Sequence, residues 1–220
     1  HHRLLFTQAI YLDKAGKSLE ACRLAQQAST LAQSGGEQLA LYQYAAEWAR
    51  LRKATGTPLD PADMPMSPEV TARNGNRYAR FEIPLPWHDA EQLCRALGGH
   101  LATVGDGEEN AFLYQNFATD RMCWLGASDH EVEEEWRWVT GEPWDSEHWA
   151  RSQPSGNREV PPVPNEDYAM FGNFDFRDRG VREYWKTGGR WIDQPDDGLI
   201  RGSNPARGLL VSFAICEWGN

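Results

Sequence analysis

The chain has 220 residues, 40% of them hydrophobic and 11% aromatic, with a formal net charge of −10. That sign repels phosphate backbones, which argues against a nucleic-acid partner, and no apolar run is long enough for a membrane span. The length accommodates one medium domain and a smaller neighbour. Nine of the ten Trp fall from Trp87 onward, while the first 55 residues are rich in Ala, Leu and Gln, so a boundary between two unlike parts is expected. The start, His1-His2 followed by Leu4-Leu5-Phe6, reads as an arbitrary cut without a secretory signal core.

Residues 1–56 predict a helical segment. Apolar or small residues recur every three or four positions over Leu4–Tyr11 and Leu19–Leu31, turns fall at Gly16 and Gly35-Gly36, and a third helix covers Gln38–Lys53. Ala21 and Ala28 after Gly16 resemble one tetratricopeptide-type hairpin, a pattern that any Ala-rich helical pair also produces. Pro58, Pro61, Pro65 and Pro68 predict a linker over 57–74, because proline removes amide donors and disfavours helix in the residue before it. From residue 75 the texture becomes short aromatic strands divided by Gly and Pro. Helices are expected over Trp87–Leu97, closed by Gly98-Gly99, and over Gly107–Ala118, where Glu108 and Glu109 suit the positive helix start. Val104, Leu125, Ala127, Trp136, Trp138, Phe213 and Ile215 are expected in half-buried strands. Spacing alone leaves open whether Cys22, Cys94, Cys123 and Cys216 are thiols or form one or two disulfides.

Eight segments in order carry a resemblance to a known family: WHDAEQLCRALGGHLATV (Trp87–Val104), EENAFL (Glu108–Leu113), CWLGASD (Cys123–Asp129), WRWVTGEPW (Trp136–Trp144), HWARSQP (His148–Pro154), NEDYAMF (Asn165–Phe171), GRWID (Gly189–Asp193) and FAICEW (Phe213–Trp218). Residues 75–220 thereby resemble a C-type lectin-like domain. The resemblance implies an α+β fold with two helices, short antiparallel sheets and a long loop region, here behind a small N-terminal α-helical segment. It also implies a chain-closing disulfide between Cys94 and Cys216, contributing about 4–5 kcal/mol through loop entropy. An oxidised pair implies an extracellular, cell-surface or periplasmic setting. The helical segment fused to a domain with one disulfide suggests a bacterial-type parent protein. The family's second disulfide has no counterpart: Tyr168 stands where one partner would be, and Cys123 is expected as a small buried apolar residue.

Sugar-binding members of the family hold a calcium ion in the long loop. Its six to eight hard oxygen ligands come from a residue-Pro-residue motif, a downstream glutamate and an Asn-Asp pair. Here Gln153-Pro154-Ser155, Glu166 and Ile192-Asp193 stand at those places. The resemblance implies Gln153, Glu166 and Asp193 as metal ligands, Pro154 in the cis form, and the Gln-Pro pattern of galactose preference. Ser155 and Ile192 depart from it. Glu159, Asn165, Asp167, Asp196 and Asp197 lie near enough to compensate, or simply face solvent. The expected ligand face comprises Gln153, Ser155, Arg158, Glu166, Asp193 and Trp149, although Trp144, Trp149 and Trp191 also read as core. Long insertions between Ser155 and Asn165 and between Asp193 and Phe213 suit a functional loop. Phe174, Phe176, Tyr184 and Trp185 either anchor an interface or pack beneath it.

These readings favour a non-catalytic module of a larger exported or surface protein, binding or adhering to a protein or glycan ligand. A calcium-dependent carbohydrate-binding lectin is the first alternative. A scaffold domain, whose helical segment buries its apolar face on a partner, is the second. An enzyme of the formylglycine-generating type, related in fold, would need a reactive cysteine pair, and Cys123 has no close cysteine partner in sequence. His88, His100, His130 and His148 show neither HxH nor HExxH spacing.

Overall fold

The computed structural model describes residues 1–145, 147–155, 165–175, 184–200, 209–210 and 212–219, with backbone alone at 173–175, 184–187, 199–200 and 209–210. Three helices come first, α1 (His2–Lys14), α2 (Ser18–Ser34) and α3 (Gln38–Thr55), packed α1 on α2 and α2 on α3. Their turns share one geometry. Gly16 (φ 77°) and Gly36 (φ 72°) take the left-handed conformation that glycine adopts without a Cβ penalty. The next amides, Lys17 and Glu37, donate back to Leu12 and Ala32, each at 2.9 Å. Alanines line the seam: Ala9, Ala21, Ala25, Ala28, Ala32 and Ala45 are fully buried, and such small side chains let the helices approach closely. Cys22 is buried among them, and burial pushes its thiol pKa up.

The proline-rich segment lies against the second part of the chain. Asp60 caps a 3-10 turn at Pro61–Asp63, Met64 is buried, Met66 bridges to Phe81, and Ser67 N–H donates to Arg80 O at 2.8 Å. Across the junction, Arg52 of α3 pairs with Asp89, and Tyr42 meets Phe213 edge-on with centroids 6.3 Å apart.

Among the described residues, the second part holds α4 (Trp87–Ala96), α5 (Gly107–Leu113) and ten strands. These are β1 (Val70–Thr71), β2 (Arg77–Arg80), β3 (His100–Leu101), β4 (Met122–Ser128), β5 (Arg137–Trp138), β6 (Tyr168–Asp175), β7 (Tyr184–Gln194), β8 (Leu199–Ile200), β9 (Leu209–Leu210) and β10 (Ser212–Trp218). One sheet runs β1-β2-β10-β4-β6-β7, with β3 on β10 and β5 on β4, while β8 and β9 pair separately. The expectation of short antiparallel sheets needs correction, because β10 and β4 pair in parallel at the centre of a larger mixed sheet. The strand residues are not half-buried either. Every residue from Met122 to Ala127 and from Ser212 to Glu217 is buried. Both strands are interior and covered: Trp87 Nε1–H of α4 donates to Leu125 O, and Trp124 Nε1–H to Leu85 O, each at 2.8 Å.

Helix α5 starts where Asp106 accepts the Glu109 amide at 2.8 Å. It was expected to reach Ala118 but keeps α geometry only to Leu113. Tyr114–Ala118 widens into a π turn that buries Phe117 and aims its carbonyl at Arg80 Nη1 (2.6 Å) and Cys123 Sγ (3.3 Å). Among the described residues, no helix is long and apolar enough to cross a membrane.

At Gly126, β4 passes close to its neighbours. A Cβ there would sit 2.5 Å from Leu101 O and 2.7 Å from Val139 Cγ2. Gly126→Ala is therefore expected to destabilise by about 3 kcal/mol or more through overpacking against backbone, read as a lower urea midpoint with an unchanged m-value.

Candidate functional site

The long-loop residues converge at the end of β7. Asp193 faces Ala169 in register, is 1% exposed, and accepts the Ser155 amide on Oδ1 at 3.0 Å and Oδ2 at 2.8 Å. Ser155 Oγ lies 2.7 Å from Glu166 Oε2 and 3.2 Å from Asp193 Oδ1, so one hydroxyl spans two carboxylates. The Asp193 amide donates to Gln153 Oε1 at 3.3 Å. The Gln153–Pro154 peptide is cis, and Ser152 before it has φ 64°. Burial, followed by the charge of Asp193, raises the Glu166 carboxyl above its usual range, while the Ser155 hydroxyl opposes the rise. Gln153, Ser155, Glu166 and Asp193 are thus brought into one hydrogen-bonded group.

The remaining expected residues divide. Trp149 belongs to an aromatic wall, bridged in parallel to Trp191 and packed against Trp136 (4.6 Å) and Trp191 (5.7 Å). Trp144 joins the same wall, and Trp191 is fully buried. Arg158, Glu159 and the first insertion lie outside the described residues, as do Phe176, residues 201–208 and the side chains of Phe174, Tyr184 and Trp185. Asp196 anchors the chain after β7 to the start of α4: its carbonyl accepts the Trp87 amide (2.9 Å), and its Oδ1 meets the His88 amide (3.0 Å) and Nδ1 (2.7 Å).

A calcium ion does not fit the Gln153 group as it stands. Ile192 is 1% exposed, faces Met170 and offers only hydrocarbon, and both Asp193 oxygens already take the Ser155 amide. Among the described residues, the remaining side-chain oxygens of this group fall short of the six to eight the ion requires. Among the described residues, no three His, Cys, Asp or Glu side chains are arranged to hold a metal.

One carboxylate was not anticipated as a site residue. Asp129, at the end of β4, is 6% exposed, and its backbone amide donates to Asp167 O at 3.2 Å. Its Oδ2 accepts the Glu134 amide at 3.0 Å, while Oδ1 is buried with no hydrogen-bond partner. Burial raises its pKa to about 6, with a partial offset from the Glu134 amide and further increments from Glu133 and Asp167. The available signal in the sequence was a charged residue directly after the apolar run CWLGAS, followed by Glu131, Glu133, Glu134 and Glu135.

The four cysteines are thiols in this structure. Cys94 on α4 and Cys216 on β10 are both fully buried, and Cys216 lies against Cys94, raising its thiol pKa further after burial. The Cys94–Cys216 bond is therefore not formed here, although its two ends are adjacent. Cys123 is fully buried and its thiol is pushed up to about 12, the opposite of an activated nucleophile.

Residues 83–161 match the family model of the lectin C-type domain. This chain carries a C-type lectin domain. Relatives include mouse C-type lectin domain family 4 member F, 38% identical over 89 residues, which are 39% of this chain and 16% of that protein. The CD209 antigen of Nomascus concolor is 31% identical over 123 residues, covering 53% of this chain and 29% of the relative. The chain thus spans less than a third of either protein. The fold is that of the mouse scavenger receptor C-type lectin carbohydrate-recognition domain (TM-score 0.52, 23% identity, 69% of this chain and 95% of that one). Its human counterpart gives a TM-score of 0.51 at 22% identity over 69% of this chain and 96% of that one.

The pKa of Asp129 has a stability consequence. Its folded value, about 6, exceeds the ordinary 3.8, so the native state binds the proton more tightly. Stability should fall as pH rises from about 4 to about 6 and stay level above, a loss of about 2–3 kcal/mol at 1.36 kcal/mol per unit. Asp129→Asn in chelator should remove that slope and raise the urea midpoint at pH 7, with little change at pH 4.

Proposed function

We propose that this chain is a non-catalytic ligand-binding module whose Gln153, Ser155, Glu166 and Asp193 face, with the Trp149 wall beside it, takes a glycan or protein ligand. The observation that carries this reading is the convergence of those four residues from a loop turn, the approach to β6 and the end of β7. Their oxygens and the Gln153 amide suit hydroxyl or amide partners. The fold shared with the scavenger receptor carbohydrate-recognition domains is compatible with the glycan arm. An extracellular, surface or periplasmic setting goes with this reading. Oxidation of Cys94 and Cys216 there would close roughly 120 residues of chain and stabilise it by about 4–5 kcal/mol. A glycan array started with galactose-type sugars tests the proposal. Gln153→Ala and Glu166→Ala should each weaken the bound sugar at least about tenfold while the chain stays folded by circular dichroism. Retention of full affinity in both variants would place the ligand elsewhere.

A second reading concerns calcium, and the buried Oδ1 of Asp129 favours it. A cation beside Asp129, its other ligands being backbone carbonyls and water, would satisfy that oxygen and favour the charged carboxylate that burial disfavours. Millimolar calcium should then raise the melting temperature over chelator, about 2.7 kcal/mol at 100 times the dissociation constant, and Asp129→Asn should abolish the shift. An unchanged melting curve would remove this reading.

A further inference from the structure

We propose that at the long-loop face Ser155 does the bridging a cation would do, so that the face is held in shape and meets its ligand without a metal ion. This rests on the reading of that face as the ligand site but concerns how the face is held. A cation placed between two carboxylates ties them together through shared charge. Ser155 ties the same two through hydrogen: its amide reaches both oxygens of Asp193 at 3.0 and 2.8 Å, and its hydroxyl reaches Glu166 at 2.7 Å. Gln153, the other expected oxygen donor, turns Oε1 back onto the Asp193 amide at 3.3 Å. Ile192 completes the pattern from the opposite side. Where an ion would need an oxygen, the chain places a hydrocarbon that is 1% exposed and packs into the core.

The two departures fit one another. Ile192 gives up a ligand and gains burial, and Ser155 is short enough for its own backbone amide and hydroxyl to serve both carboxylates at once. A hydroxyl carries one proton, so it donates to one carboxylate at a time while the backbone amide remains on Asp193. A ligand at this face would be contacted directly by the side chains of Gln153 and Glu166.

Amide hydrogen exchange of the full chain, in millimolar calcium and in chelator, reads this out at Ser155 and Asp193. Equal protection in the two buffers is expected, and Ser155→Ala should speed exchange at both amides by about tenfold, leaving Trp191 unchanged. A paired Ser155→Asn, Ile192→Asn variant should make protection at residue 193 sensitive to chelator. The proposal is overturned if chelator speeds exchange at Ser155 in the unmodified chain and Asp129→Asn leaves that response intact, or if Ser155→Ala changes nothing. If the paired variant does not fold, the first two comparisons still decide. Absence of ligand binding would count against the proposed function and leave the exchange result untouched.

Discussion

Asp193 is buried at the end of β7, and a carboxylate in that position costs several kcal/mol unless hydrogen bonds meet it. The chain meets it from a loop 38 residues earlier: the Ser155 amide covers both oxygens, with Gln153 on the Asp193 amide. That requirement sets the path of the loop, from Ser152 in a left-handed conformation through the cis Gln153–Pro154 peptide to Ser155. It also draws Glu166 in, because the Ser155 hydroxyl is already positioned between the two acids.

The same strand end is tied to the rest of the molecule by a short series of polar contacts. Asp196 caps α4 through the Trp87 and His88 amides, and Asp89 on the same turn of α4 pairs with Arg52 of α3. The helical segment is therefore packed on the element that anchors the end of the site strand. Tyr42 against Phe213 and Arg121 over the same ring add an apolar and a cation–π contact near the junction. Behind the loop, five tryptophans (Trp136, Trp138, Trp144, Trp149 and Trp191) pack edge-on or tilted into a wall along its inner edge.

Much of this was legible from residue order alone. The three N-terminal helices follow from their apolar stripes and from Gly16 and Gly36, both of which take positive φ. The start of α5 follows from Asp106 and the glutamates behind it. What escaped was non-local. The parallel pairing of β10 with β4 joins segments some 90 residues apart, and no local pattern encodes it. The strands read as half-buried because alternation describes one covered face, whereas β4 and β10 are covered on both. At the site, resemblance brought Gln153, Ser155, Glu166 and Asp193 together, but the part played by Ser155 depends on a backbone amide, which no residue type reveals. Asp129 escaped because its unsatisfied oxygen results from burial and from the turn that brings the Glu134 amide to its other oxygen.

The most direct test of the metal-free clasp is a high-resolution crystal structure of the chain grown in millimolar calcium. The account predicts the Ser155 amide still on both Asp193 oxygens, its hydroxyl on Glu166, and no density for an ion between the two carboxylates. An ion there, with six to eight oxygen ligands and Ser155 turned away from Asp193, would contradict it.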